Sequence, residues 1–206
     1  METYLSFVAF CTLLAVAPGP DTFLVLRASV VGGHRRGLAT TFGVSVAGAV
    51  QGTLAATGLG ALLASSEHVF AVVRWIGVAY LAWLGVSALL GAWRGGEGWT
   101  LGTPGARVGA VRAFRQGFVC NITNPKVLAF NLAVLPQFVG SDAGVPTLLA
   151  YALTLTAIGA VVQLAIVWLA RRAAAVFDRS GFRRGVDGVT GVVMLGFAGA
   201  LALDVS

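Results

Sequence analysis

The chain has 206 residues, of which 57% are hydrophobic and 11% charged, against roughly 25% charged in soluble domains; its mean hydropathy is +0.87. That composition describes an integral membrane protein of about six spans of roughly 20 to 25 residues with short connections, which leaves no room for a soluble catalytic domain, so no enzyme is expected. The net charge of +6 lies in loops between apolar segments, where it orients the chain, and this excludes a nucleic-acid partner.

The first apolar stretch, Tyr4 to Ala17, ends in Ala15-Val16-Ala17 and resembles the hydrophobic part of a signal peptide. Its leading segment carries Glu2 and neither Lys nor Arg, so a retained helix running on through Phe23-Leu24-Val25-Leu26 is the expected reading. This is span one, about Tyr4 to Val31. It is interrupted by Pro18-Gly19-Pro20-Asp21: two prolines remove backbone donors, Gly19 supplies freedom, and the helix restarts with Pro20 in its first turn. The restarted half-helix aims free N–H groups at the break. Asp21 suits that dipole, but a charge near the bilayer centre costs about 2.5 to 3.5 kcal/mol, so a compensating group is required. Lys126, a substrate ammonium and a transported proton are the candidates. Arg27 can pair with Asp21 or reach the cytoplasmic interface, and the second is expected.

Span two, about Leu38 to Leu63, carries Gly43, Ser45, Gly48 and Gly52, small residues that let helices approach closely in lipid. Span three, about Val69 to Trp93, carries Trp75, Tyr80, Trp83 and Trp93 as interface anchors or packing groups. Span four, about Gln116 to Val139, holds a second polar interruption, Asn121-Ile122-Thr123-Asn124-Pro125-Lys126. Asn124 suits an N-cap and Pro125 the position after it, so a half-helix starts inside the span. Lys126 is the chain's one lysine. Dipole and desolvation both oppose its charge there, so it needs an anionic partner or must lose its proton. Asn121 lies one turn before Asn124, and Asn131, two turns beyond, extends the same polar face. Span five, about Pro146 to Ala170, contains Gln163; span six, about Val186 to Leu203, contains Gly188, Gly191, Gly196 and Gly199 as packing positions. Gln51, Asn131 and Gln163 are secondary cavity candidates, with an interhelical hydrogen bond the favoured role for the two glutamines. Cys11 and Cys120 both lie in apolar sequence, where small buried hydrophobes are expected.

The loop after span one holds His34, Arg35 and Arg36, that after span three Arg94, Arg107, Arg112 and Arg115, and that after span five Arg171, Arg172, Arg179, Arg183 and Arg184. The other connections hold little beyond Glu67, His68, Arg74 and Asp142, so the basic loops face the cytoplasm and both termini face outside. Residues 1–206 then form a single transmembrane domain: repeat one about 1–95, a cytoplasmic loop about 94–115, and repeat two about 114–206. Three spans per half invert the second half relative to the first, and Pro20 aligns with Pro125, Asp21 with Lys126, at an offset of about 105 residues. The expected fold class is all-α, six transmembrane helices as two inverted three-helix repeats, with spans one and four broken at prolines.

At these residues the chain resembles the LysE/RhtB family of small bacterial amino-acid exporters. The resemblance runs through Pro18-Gly19-Pro20-Asp21 with Leu24-Val25-Leu26-Arg27, Arg35-Arg36-Gly37, and Trp75-Ile76-Gly77-Val78-Ala79-Tyr80-Leu81-Ala82-Trp83-Leu84-Gly85. It continues through Phe114-Arg115-Gln116-Gly117-Phe118, Asn121, Asn124-Pro125-Lys126 and Pro136-Gln137-Phe138. It implies proton-driven efflux of amino acids such as homoserine, threonine, leucine or lysine across the bacterial inner membrane. The expected site comprises Pro18, Gly19, Pro20, Asp21, Asn121, Asn124, Pro125 and Lys126, with Asp21 the proton-coupling candidate. A zwitterion would place its carboxylate at Lys126 and the half-helix N–H groups and its ammonium at Asp21.

No cofactor or metal is called for; the partners are an amino acid, protons and the lipid bilayer, and a homo-oligomer is compatible with the chain. Two alternatives are a transmembrane thiol–disulfide carrier using Cys11 and Cys120, and a metal-ion exporter. Metals want several carboxylates, imidazoles or thiolates converging on one site, and Asp21 is the only buried acid expected.

Overall fold

The computed structural model describes residues 2–58, 67–93, 109–139, 143–172 and 180–203, and every regular element among them is helical. In chain order these are α1 (Glu2–Val16), α2 (Pro20–Gly32), α3 (His34–Ala56), α4 (Glu67–Trp93), α5 (Ala110–Ile122) and α6 (Pro125–Ala129). A π-helical turn (Phe130–Val134), α7 (Leu135–Val139), α8 (Val145–Arg172) and α9 (Ser180–Leu203) follow.

Among the described residues, four segments are long and apolar enough to cross a membrane: His34–Ala56, Trp75–Trp93, Val145–Arg172 and Arg184–Leu203. A fifth arises if Thr3–Val16 and Pro20–Gly32, bent by 55° at their junction, form one span. The segment expected as span four is divided between α5, α6, the π turn and α7, so no single helix there reaches the length of a span. The division has local causes. Asn124 and Pro125 restart the helix, and Pro136, lacking an N–H, adjoins the π turn that absorbs the lost hydrogen bond.

Several expected loops are helical instead. A single residue, Gly33, separates α2 from α3; its φ of +83° suits glycine, and its N–H caps the Ser29 carbonyl at 3.1 Å. His34, Arg35 and Arg36 therefore occupy the first turn of α3 rather than a loop. Arg112 and Arg115 lie in α5, Arg171 and Arg172 in the last turn of α8, Arg183 and Arg184 near the start of α9, and Glu67, His68 and Arg74 in α4. Chain polarity is thus carried at helix ends, which extend past the apolar windows. Leu63, Arg94, Arg107, Asp142 and Arg179 lie outside the described residues.

Three apolar clusters hold the bundle. Phe7 and Cys11 of α1 meet Phe130, Leu135 and, from α8, Ala152 and Leu155. Leu24 of α2 meets Leu81 and Leu84 of α4, Cys120 of α5, and Met194 and Ala198 of α9. Val25, Val44 and Val167 join α2, α3 and α8. Leu153, Val161, Leu164 and Trp168 on α8, and Trp75, Trp83 and Trp93 on α4, face outward instead, as apolar and interfacial groups do against lipid.

Glycine sets the two closest crossings. A Cβ at Gly43 would collide with the Phe114 carbonyl, and one at Gly117 with the Thr40 carbonyl, so α3 and α5 meet backbone to backbone. Gly85 and Gly191 do the same for α4 and α9. The expectation for span six is corrected in part: Cβ atoms at Gly188, Gly196 and Gly199 would touch nothing within 4 Å, so Gly191 alone of the four makes a close crossing.

Candidate functional site

The break between α1 and α2 and the break between α5 and α6 lie against each other. Asp21, in the first turn of α2, is 6% exposed and directs Oδ2 at the second break. The Nδ2 groups of Asn121 and Asn124 each donate to that oxygen at 2.8 Å. Asn124 uses both ends of its amide, because its Oδ1 accepts from the Lys126 backbone N–H at 3.1 Å and caps α6. One side chain therefore starts a helix and holds the carboxylate. The other oxygen of Asp21, Oδ1, is buried without an N–H donor, and the weakly donating Cys120 thiol lies beside the carboxyl.

Lys126 does not close an ion pair with Asp21. Its Nζ donates to the carbonyls of Leu14 at 2.6 Å and Ala17 at 2.7 Å. Leu14 is in the last turn of α1 and Ala17 directly follows it, where the helix break frees carbonyls and the macrodipole favours a cation. Two of the three ammonium hydrogens are used in this way, which leaves a third.

Asp21 and Lys126 border one cavity, whose wall also includes Gly19, Asn121, Asn124, Gln163 and residues of α3 and α8. It gives about 80 Å³ to the centres of water molecules, several times the roughly 10–15 Å³ that one water needs. Three buried oxygens on its wall lack hydrogen-bond donors: Asp21 Oδ1, Asn121 Oδ1 and Gln163 Oε1. Buried acceptors left without donors are costly. Acceptors of this kind call for a ligand that carries N–H donors.

The other expected residues divide. Pro20 is buried at the first position of α2, and Pro125 begins α6; neither Pro20 nor Pro18 is among the cavity residues. Gln51 is not on the wall either: its Nε2 donates to the carbonyls of Asn121 at 3.0 Å and Ile122 at 2.8 Å, bracing the end of α5 from α3. Asn131 is buried in the π turn, away from the cavity, with Oδ1 unpartnered. Cys11 and Cys120 are free thiols in different apolar clusters.

Two readings are corrected. Arg27 does not meet Asp21; its Nε donates to Asp187 Oδ1 at 2.5 Å, a partner that the sequence reading did not name. Asp21 is consequently not the only buried acid, because Asp187 is 0% exposed on α9. A backbone glycine makes room for the pair, since a Cβ at Gly91 would stand 3.1 Å from Asp187 Oδ2. The sequence signal was the matched depth of Arg27, Gly91 and Asp187 near the ends of their helices, which pairing across spans alone reveals.

Residues 12–205 match the family described as LysE type translocator. A homoserine/homoserine lactone efflux protein of Salmonella typhimurium is 30% identical over 67% of this chain and 65% of its own length. A leucine efflux protein of Klebsiella pneumoniae is 29% identical over 74% of this chain and 71% of its own. An uncharacterized membrane protein of Pseudomonas aeruginosa is 32% identical over 97% and 93% respectively. No solved structure matches the chain significantly.

Proposed function

This chain belongs to the family of LysE type translocators, and on that premise we propose that it is a secondary transporter exporting amino acids or close derivatives across the bacterial inner membrane. One observation carries the reading: a buried carboxylate with one bound and one unsatisfied oxygen shares a small cavity with a lysine. A zwitterion complements that wall end for end. Its ammonium donates to Asp21 Oδ1, with Asn121 Oδ1 and Gln163 Oε1 as further acceptors; its carboxylate takes the remaining Lys126 hydrogen. The α1 carbonyls hold Lys126 in place for this contact without neutralising it.

The same geometry supports proton coupling at Asp21, which is the one acid bordering the cavity among the described residues. Substrate departure removes the ammonium, and proton entry then neutralises the carboxylate. Alternating access would turn on the two breaks, because each joins half-helices at the cavity without a continuous backbone ladder. An inverted repeat is supported by the packing: α3 against α8 and α4 against α9 are the spans such a two-fold axis pairs with each other. In this reading the chain is a single transmembrane domain with basic helix ends in the cytoplasm and termini outside.

The thiol–disulfide alternative is disfavoured by the separate burial of Cys11 and Cys120. For metal export, no group of three or more His, Cys, Asp or Glu side chains converges among the described residues.

Efflux of radiolabelled amino acids from proteoliposomes, with and without a pH gradient, tests the function. Wild type should export at least one amino acid faster with the gradient, while Asp21→Asn and Lys126→Met should be inactive at normal expression. Full activity in both variants would overturn the mechanism.

A further inference from the structure

The cavity has two chemically different walls. Asp21, Asn121, Asn124 and Lys126 come from α2, α5 and α6, whereas α3 and α8 supply no ionisable group to it. Resting on the exporter reading above, an amino acid anchored by its ammonium and carboxylate on the first wall must direct its side chain at the second.

On α8 the wall is Leu155 and a stripe of Thr156, Gly159, Ala160 and Gln163, spaced i, i+3, i+4 and i+7 along one helical face. The stripe ends at Gln163, 8% exposed with Oε1 lacking a donor, so a ligand-seeking polar group shares the face with the small residues. Opposite it stands Gly48 of α3.

The two glycines differ in the space before them. A Cβ at Gly48 would meet Thr156 Oγ1 at 3.3 Å and Asn121 Oδ1 at 3.7 Å, so that wall is already filled and abuts an ammonium acceptor. A Cβ at Gly159 would meet nothing within 4 Å. Gly159 also borders the cavity. We infer that Gly159, with Thr156 and Ala160 beside it, forms the side-chain subsite, and that the absence of a side chain at Gly159 sets the largest substrate this exporter accepts. The ligand class is an α-amino acid whose side chain is uncharged, because among the described residues no ionisable group of α3 or α8 borders this wall to meet a charge.

Counterflow in proteoliposomes with glycine, alanine, homoserine, leucine and lysine compares wild type with Gly159→Ala and Gly159→Val. One methylene too many in such a pocket discriminates by about 10-fold or more. Gly159→Val should therefore lower leucine transport about 10-fold or more relative to alanine, with Gly159→Ala intermediate and lysine poor throughout. Gly159→Ala adds one carbon to open space and keeps the test readable if the valine variant does not fold. Gly188→Val, on α9 away from the cavity, is the control and should leave selectivity unchanged. Equal loss for every amino acid, or no change, overturns the subsite and leaves the exporter reading standing; a wild type that moves no amino acid overturns both.

Discussion

Asn124 shows how much one side chain does at the meeting of the breaks. Its oxygen caps α6 and its nitrogen holds Asp21. The two roles separate by substitution. Asn124→Ser keeps an N-cap oxygen and should melt near wild type in detergent, yet export poorly because Asp21 loses a donor. Asn124→Asp keeps the cap but sets a like charge against Asp21, and should export less than the serine variant. Asn124→Ala should additionally lose about 1 kcal/mol of stability, read as a lowered Tm. Lys126 is similarly double in purpose: Lys126→Met should lower Tm as well as export, since the Leu14 and Ala17 carbonyls lose their donor, and Lys126→Arg should restore most of the stability. Equal Tm for the methionine and arginine variants would contradict the capping role.

Among elements, α2 is the common neighbour, tied to α9 by Arg27 and Asp187 and packed on α3 and α8. Breaking a buried pair by removing one partner leaves an uncompensated charge and costs about 3–5 kcal/mol. Arg27→Met and Asp187→Leu should each depress thermal stability strongly, and the double variant should regain most of the loss. A double variant as unstable as the sum of the singles would show that the pair itself is not the cause. The α3–α5 crossing gives a cleaner packing test. Gly117→Ala drives a Cβ into the Thr40 carbonyl and should lower Tm sharply, whereas Gly188→Ala meets nothing and should leave it unchanged.

For the molecule as a whole, the proposed orientation is checked on a background of Cys11→Ala and Cys120→Ala. Because both thiols are buried in separate clusters, that background should still export amino acids, which also disposes of thiol–disulfide chemistry. Arg35→Cys should then react with an impermeant maleimide only after the membrane is opened, and Ala143→Cys should react in intact cells. The reverse labelling pattern would invert the topology.

Composition determined the membrane class, because no soluble domain tolerates so few charges, and proline and asparagine chemistry located the two helix restarts from local rules alone. The same local rules explain why Asp21, Asn121, Asn124 and Lys126 were legible as a group: each is a polar residue beside a break in an apolar run. Three matters were decided only by the tertiary structure. Lys126 turned to the α1 carbonyls rather than to Asp21, Arg27 found Asp187 some 160 residues away, and Gly159 rather than Gly48 was left facing open space. Each depends on which helix face meets which neighbour. In a bundle apolar on nearly every side, periodicity carries little of that information; backbone approach and the pairing of buried polar groups supply it.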